Sequence, residues 1–359
     1  MKRWILNLLM LLSLVLGLNT SCIEPPLNLP DSQVAVEYTF LFQTALEIEG
    51  DTLEALPSSY EVRRYYLGDL ADGKHTSAGA DGFTVFSNKF RRSYQFGYYD
   101  ILVWSNIDSE DGTQVLVVDD SDVDSVKATT TVSRGVLRSK AASSVVGLYN
   151  CPERFYSAYM QNAYISPNTE DYDYYDEKEN LWVKELNDSL RPLVYTYNVI
   201  VRLHNNDGRI TGVTGDAALS AMASGTSVNT GHTQNTPCMV YFPVKMTAGE
   251  PVDSITGTLT TFGLCDMEGY HKGVSTVYEG SRTDLDNRLY VTLKFSNGAE
   301  NTYDYVVTDQ VRKQCRGGLI IIDIDCAQVT PPAPDEESTG NIFVPTVEDY
   351  EHVDYDILM

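Results

Sequence analysis

The stretch Arg91-Arg92-Ser93-Tyr94-Gln95-Phe96-Gly97-Tyr98-Tyr99-Asp100-Ile101-Leu102-Val103-Trp104-Ser105-Asn106 decides how this chain folds. Tyr94, Phe96 and Tyr98 alternate on one face, the period-two pattern of a strand. Beyond Gly97 both faces turn apolar, with Ile101 and Val103 on one and Leu102 and Trp104 on the other. Such a strand is buried on both faces, or bulged beside the glycine so that its facing switches.

Strands separated by turns extend in both directions. Residues 36–42, 60–67 and 82–90 precede the stretch, and 114–118 and 125–134 follow it, each β-branched or aromatic. Acidic turns fill 105–112 and 119–124. Residues 152–190 read differently. Tyr156, Tyr159, Tyr164, Tyr172, Tyr174 and Tyr175 crowd together and 170–179 is dense in carboxylates, which predicts a long acidic, tyrosine-rich connection with a boundary near 185.

In the second half Tyr195, Tyr197, Val199, Val201 and Leu203 line one strand face, and Asn205-Asn206-Asp207-Gly208 turns the chain. Residues 216–224 are alanine-rich, with Leu219 and Met222 three apart, which predicts a short helix ended by Gly225. Residues 238–246 alternate, and Pro243 pushes them toward a sheet edge. Residues 254–264 form a threonine-rich strand. Leu289, Val291, Leu293 and Phe295 alternate with Tyr290, Thr292 and Lys294 before the turn at Asn297-Gly298. Thr308 is placed to cap a helix over 309–316, stopped by Gly317-Gly318. The strand 319–326 turns Ile320, Ile322 and Ile324 inward. Short strands, frequent turns and few helices define an all-β chain of β-sandwiches. The expected organisation is a first sandwich domain over 33–185, a second over 186–328 and an acidic tail over 329–359.

The two ends carry the functional signals. Lys2 and Arg3, the apolar run 5–18 and Asn19-Thr20-Ser21-Cys22 describe an export signal over 1–21 with a lipoprotein-type end, so Cys22 is expected to carry lipid. Leu18 stands four residues before the cysteine, where such signals place the large aliphatic residue three before. The alternative is an ordinary secreted protein. Residues 22–32 are proline-rich and suit a tether. At the far end, residues 335–359 hold eight acids and no Lys or Arg, yet carry Ile342, Val344, Val347, Tyr350, Val353, Tyr355 and Ile357. That mixture reads as a partner-seeking strand, or as an extra edge strand folded back on its own domain.

Composition narrows the function. Asp and Glu number 50 against 26 Lys and Arg, a net charge of −24. A chain this acidic repels phosphate backbones and anionic headgroups, which excludes nucleic acid as a partner and leaves membrane association to the N-terminal lipid. With Cys22 lipidated, Cys151, Cys238, Cys265, Cys315 and Cys326 remain, an odd number with no C-x-x-C spacing. A disulfide in the second half and buried reduced thiols are both open. No glycine-rich phosphate loop and no G-x-S-x-G elbow occurs, and His75, His204, His232, His271 and His352 are scattered. Asp119, Asp120, Asp122 and Asp124, like Glu170, Asp171, Asp173 and Asp176, offer hard oxygens without EF-hand spacing and read as solvated turns. The expectation is therefore no catalytic residue, no metal and no cofactor.

Several pieces together carry a resemblance. They are the lipobox-like end at Cys22, the strand Gly97-Tyr98-Tyr99-Asp100-Ile101-Leu102-Val103-Trp104, and the segment Ala218-Leu219-Ser220-Ala221-Met222-Ala223. Val307-Thr308-Asp309-Gln310-Val311-Arg312 before the last strand and the acidic Val347-Glu348-Asp349-Tyr350 complete the set. In this order the chain resembles the Bacteroidetes fimbrial anchor and fimbrillin-associated lipoprotein group, and within it an uncharacterised Bacteroides lipoprotein family. Relatives of that group carry Leu-Ser-Gly-Met-Ala in a short helix where this chain has Ala221. The resemblance implies two tandem transthyretin-like (Ig-like) β-sandwiches on an outer-membrane lipid anchor. It implies a part in anchoring, building or tipping a surface fimbria, other fimbrial or surface subunits as partners, strand donation as the joining mode, and no enzyme. The competing expectation is glycan binding, with Trp182, Tyr172 and Tyr174 stacking on sugar faces and Trp104 left to the core.

Overall fold

The structure is a computed structural model that describes residues 34–42, 57–69, 80–106, 114–121, 125–132, 148–249, 252–271 and 274–333. Among the described residues the regular structure is almost wholly β. Its first half forms β1 (Val34–Phe42), β2 (Tyr60–Gly68), β3 (Ala80–Val85), β4 (Lys89–Ser93), β5 (Gly97–Ser105), β6 (Leu116–Asp119), β7 (Lys127–Thr130), β8 (Leu148–Asn150), β9 (Tyr156–Ile165), β10 (Tyr174–Asp176) and β11 (Leu181–Pro192). Its second half forms β12 (Tyr195–His204), β13 (Ile210–Val213), β14 (Ala217–Ala223), β15 (Gly225–Ser227), β16 (Pro237–Phe242), β17 (Val244–Thr247), β18 (Asp253–Thr261), β19 (Arg288–Phe295), β20 (Glu300–Val306), the helix α1 (Thr308–Lys313) and β21 (Gly318–Asp325).

An eight-stranded sheet runs β3-β2-β5-β9-β11-β1-β4, with β10 added to β11. β9 and β11 pair only at Ser157–Arg191 and Tyr156–Pro192. The sheet therefore folds over there, and β3-β2-β5-β9 faces β10-β11-β1-β4. Val36, Tyr38, Phe40, Val62, Ile101, Val103 and Leu190 fill the space between the layers. Phe40 meets Tyr60 edge-on at 4.6 Å, and Phe83 meets Phe90 at 5.4 Å, contacts that tie the two layers together. A second sandwich packs the four-stranded sheet β17-β18-β12-β21 against a six-stranded sheet ordered β13-β19-β14-β16-β8, with β20 paired to β19. Tyr197, Val199, Val201, Ile320 and Ile322 of one layer meet Leu219, Val240, Leu289 and Val291 of the other.

A third core explains the doubly apolar β5. Leu102 and Trp104 point away from the first core, into a cluster that also holds Tyr65, Leu116, Ala128, Phe155, Leu193, Val194, Ala223, Val228, Phe262 and Cys265. Both halves of the chain contribute to it. β15 joins β7 and β6 in a three-stranded sheet, and β8 runs parallel to β16 at the edge of the six-stranded sheet, so ladders cross between the halves. Gly97, at φ +130°, lets the chain enter β5 where a Cβ would stand 2.7 Å from the Gly68 carbonyl oxygen. The facing slips in the neighbouring β9, whose register with β5 shifts between Tyr99 and Ile101 because β9 carries one extra residue there, around Asn162 at φ +55°. Asp100 holds that bulge by accepting from the Asn162 N–H at 2.7 Å and the Tyr159 hydroxyl at 2.8 Å.

Three local expectations are corrected. The stretch 152–190 is not a long connection, since 156–165 and 181–192 are the strands β9 and β11, and β11 runs unbroken through 185. The change of sheet comes between Pro192 and Tyr195. Residues 217–223 are not helical. Alanine favours a helix in isolation, but β14 lies between β16 and β19 with every residue buried, and ladder pairing overrides propensity. Its register breaks between Leu219 and Met222, where Ala221 takes φ +61°. That is a conformation suited to the glycine the resembling family carries there. The buried Asn287 amide supports the break by donating to the carbonyls of Ser220 at 3.0 Å and Ala221 at 3.4 Å. Thr308 does not cap α1. Val307 is the N-cap residue and receives no side-chain cap, while the Thr308 hydroxyl accepts from the Asn287 N–H at 3.0 Å. Pro243 does act as a punctuation mark, dividing 237–247 into β16 in one sheet and the edge strand β17 in the other.

Candidate functional site

Cys22 and the tail residues Ile342, Val344, Val347, Tyr350, Val353, Tyr355 and Ile357 lie outside the described residues. What the structure shows is where the tail begins. The Arg209 guanidinium donates to the carbonyls of Cys326 at 3.0 Å, Ala327 at 3.3 Å and Val329 at 3.1 Å. The Asn297 amide then holds the Pro332 carbonyl at 2.8 Å. Asn297 sits in the turn joining β19 to β20, and β20 pairs with β19 alone among the described residues. The tail thus departs beside the end of an edge strand. Sequence reasoning missed Arg209, because nothing in the turn Asn205–Gly208 announces that the next arginine will collect carbonyls about 120 residues away.

The tyrosine- and tryptophan-rich expectation resolves into separate environments. Tyr172 is buried, and its hydroxyl donates to the Ser166 carbonyl at 2.6 Å. Tyr174 belongs to a charged cluster on the outward face of β1 and β4. There Arg91 donates to Asp176 at 2.6 Å, to the Tyr174 hydroxyl at 2.8 Å and to Glu37 at 3.2 Å, and Lys89 pairs with Glu37 at 2.6 Å. The strand pattern sets this cluster: Val36 and Tyr38 point into the core, so Glu37 points out, directly across from Arg91 on β4. Burial alone would raise the Glu37 carboxyl, but bonds from Lys89 and Arg91 outweigh it and hold the group below its ordinary value. The Arg91 bond, with two backbone N–H groups, lowers Asp176 likewise.

Trp182 packs instead against Tyr175, its cross-strand neighbour on β10, with ring centroids 5.1 Å apart and planes tilted by 51°. Tyr175 is 41% exposed, so this pair is the one that reaches solvent here. A hairpin reading of 174–182 would have found it, since such a hairpin sets Tyr175 opposite Trp182. Trp104 is buried and has the Arg63 guanidinium 5.1 Å from its ring centroid.

The acidic stretches spread their carboxylates. Asp120 pairs with Arg63 at 2.9 Å, Asp119 accepts from the Ser121 N–H at 3.0 Å, and Asp173 accepts from the Glu185 N–H at 2.6 Å. Asp122 and Asp124 fall outside the described residues. Among the described residues no three His, Cys, Asp or Glu side chains gather as a metal would need. His204 meets Asp323 at 2.7 Å, and His232 meets Asp266 at 3.1 Å. The Ser281 hydroxyl also bonds Asp266, so serine and imidazole share a carboxylate and do not touch each other as a nucleophile and base would. Cys151, Cys238, Cys265, Cys315 and Cys326 are all free. Burial pushes the thiols of Cys151, Cys265, Cys315 and Cys326 up to about 11.

No family model and no curated protein matches the chain. Solved structures do. A candidate adhesin from Bacteroides ovatus superposes with a TM-score of 0.52 at 14% identity, over 85% of this chain and 95% of that one. A candidate polysaccharide-binding protein from Bacteroides thetaiotaomicron gives 0.44 at 9% identity, over 82% and 92%. The fimbrial anchor protein Mfa2 from Porphyromonas gingivalis gives 0.39 at 14%, over 80% and 90%. At 14% identity the likeness to the candidate adhesin is one of fold alone.

Proposed function

We propose that this chain is a lipid-anchored protein of the outer cell surface that serves as the anchor or an accessory subunit of a fimbria-like assembly, joined to its partners by β-strand pairing. In this reading Cys22 carries the acyl chain, the two sandwiches, which meet between Pro192 and Tyr195, form the scaffold, and the segment from Ile342 to Ile357 meets a neighbouring subunit. The chain does no covalent chemistry. The observation that carries the reading is the tail's exit. Arg209 and Asn297 hold the carbonyls of Cys326, Ala327, Val329 and Pro332, so the described chain ends at a fixed point beside the edge strand β20. An extended segment with apolar side chains, held to the body only at its root, gains main-chain hydrogen bonds and register by joining an open strand edge of a neighbouring subunit. The fold shared with the candidate adhesin is compatible with this role.

The test compares the full chain with a form lacking 340–359, and with Cys22→Ala. Tail deletion leaves a folded body that no longer captures surface subunits, and Cys22→Ala abolishes fatty-acid labelling and membrane retention. Unfolding of the body on tail deletion would show that the tail is an internal strand, and unchanged membrane retention without label would remove the anchor. A second reading, glycan capture, draws on the exposed Tyr175–Trp182 pair. Binding on a glycan array that is lost in Trp182→Ala and kept on tail deletion would favour it.

A further inference from the structure

β21 is the outer strand of its sheet, paired in parallel with β12 along its whole length and with no further strand among the described residues. It reads Gly318-Leu319-Ile320-Ile321-Ile322-Asp323-Ile324-Asp325, an aliphatic, strongly β-forming run. A long edge of this kind is a template for pairing with another chain. Here Gln310 of α1 and Gln314, its C-cap residue, occupy it. The Gln314 side chain accepts from the Leu319 N–H at 2.9 Å and donates to the Leu319 carbonyl at 2.9 Å. The Gln310 side chain does the same to Ile321, accepting at 2.9 Å and donating at 2.8 Å. A primary amide offers the same donor and acceptor as a peptide unit. Residues four apart on a helix share a face, and residues two apart on a strand share an edge, so the two glutamines match successive outward sites of β21.

A separate feature serves the same arrangement. Gly318 has ordinary backbone angles, yet a Cβ there would lie 2.0 Å from Gln314 Oε1 and 2.6 Å from its Cδ. The glycine leaves room for the glutamine to lie along the strand.

We propose that α1 is a built-in strand surrogate, and that Gln310 and Gln314 close the β21 edge against a second copy of this chain. The sequence of β21 argues for that occupant. Antiparallel pairing of two copies about Ile321 sets Leu319 across from Asp323 and Ile320 across from Ile322, so no two aspartates face each other. The core-facing isoleucines of the two copies then become continuous, in an isologous contact. This inference concerns a different edge from the tail and stands independently of the assembly role.

Hydrogen exchange on the unmodified protein is the first test. The amides of Leu319 and Ile321, though on the outer edge, exchange as slowly as those of Ile320 and Ile322, which bond to β12. Exchange at loop rates would overturn the proposal. In Gln310→Ala/Gln314→Ala, exchange at Leu319 and Ile321 rises at least about tenfold, given two hydrogen bonds lost per residue, and sedimentation shows a concentration-dependent dimer. Gly318→Ala, which displaces Gln314 without removing it, raises Leu319 exchange in the same direction. Near-UV circular dichroism verifies that each variant is folded. A double variant that exchanges as slowly as the parent refutes the closure, and one that exchanges faster yet stays monomeric at all concentrations refutes the assigned partner.

Discussion

Leu102→Ala probes the joint between the two sandwiches. Leu102 is fully buried, on a strand packed on both faces, and its face of β5 meets Phe155, Leu193, Val194 and Phe262. Truncation of a buried leucine costs about 2.7–5 kcal/mol, more where the surroundings cannot close over the cavity. Strand β5 is held by β2 on one side and β9 on the other, so little closure is open to it and a loss of about 4–5 kcal/mol is expected. At about 2 °C per kcal/mol, the lower rate for large chains, the melting temperature falls by roughly 8–10 °C. Phe262→Ala, 160 residues further along the chain, removes a fully buried ring from the same cluster and costs about 3–5 kcal/mol. Because both side chains lie in a core shared by the two halves, both changes should move a single cooperative transition. Calorimetry, with urea unfolding followed in the near and far ultraviolet, measures this. Two resolved transitions, one displaced only by Leu102→Ala and the other only by Phe262→Ala, would refute the reasoning, as would a loss below about 1.5 kcal/mol for Leu102→Ala.

Two glycines at positive φ separate strain from crowding. Gly317 at φ +100° would place a Cβ 2.5 Å from the Thr196 carbonyl oxygen, whereas Gly208 at φ +84° has nothing within 4 Å. Gly317→Ala should therefore cost about 2–4 kcal/mol and Gly208→Ala about 1–2 kcal/mol by urea titration. The Arg91 cluster sets an acid limb. Glu37 and Asp176 are both held below their ordinary values, so their contribution is complete above the usual carboxylate range and is lost as pH falls through the lowered values. Stability measured from pH 7 down to pH 3 should fall less steeply in Glu37→Gln than in the parent, and an unchanged slope would count against the cluster. The raised thiols of Cys265, Cys315 and Cys326 predict that a thiol reagent at pH 8 labels them only after denaturant is added; labelling of all three in the native protein at the rate of a free thiol would contradict their burial.

Most of the strands were legible because alternation in a two-residue period is a local property: Tyr195 to Leu203 shows its inward face in any context. Trp104 could be assigned to the core on the same ground. The segments 156–165, 181–192 and 217–223 were not legible, for one shared reason. In 156–165 and 181–192 strand-forming Tyr, Trp and Val are diluted by Asn, Gln, Asp, Glu and Lys, and 217–223 is alanine-rich, so no clean alternation shows; these residues become strands because ladders on both sides supply the partners. The candidate sites divide in the same way. The tail and Cys22 are visible only as sequence patterns, while the Arg91 cluster, the Tyr175–Trp182 pair and the Arg209 clamp each join residues far apart in the chain or across a hairpin.

By itself the amino-acid sequence determined the all-β class, the acidic charge, the doubly apolar β5 and the signals at the two ends, because each depends on composition or on spacing within a few residues. Tertiary structure alone decided that β5 serves two cores, that Ala221 takes a left-handed conformation within a buried strand, and that two glutamines stand in for a missing neighbour of β21. Those outcomes rest on burial and hydrogen bonds between distant segments, and the free energy of a buried N–H or C=O depends on the partner that the fold brings to it.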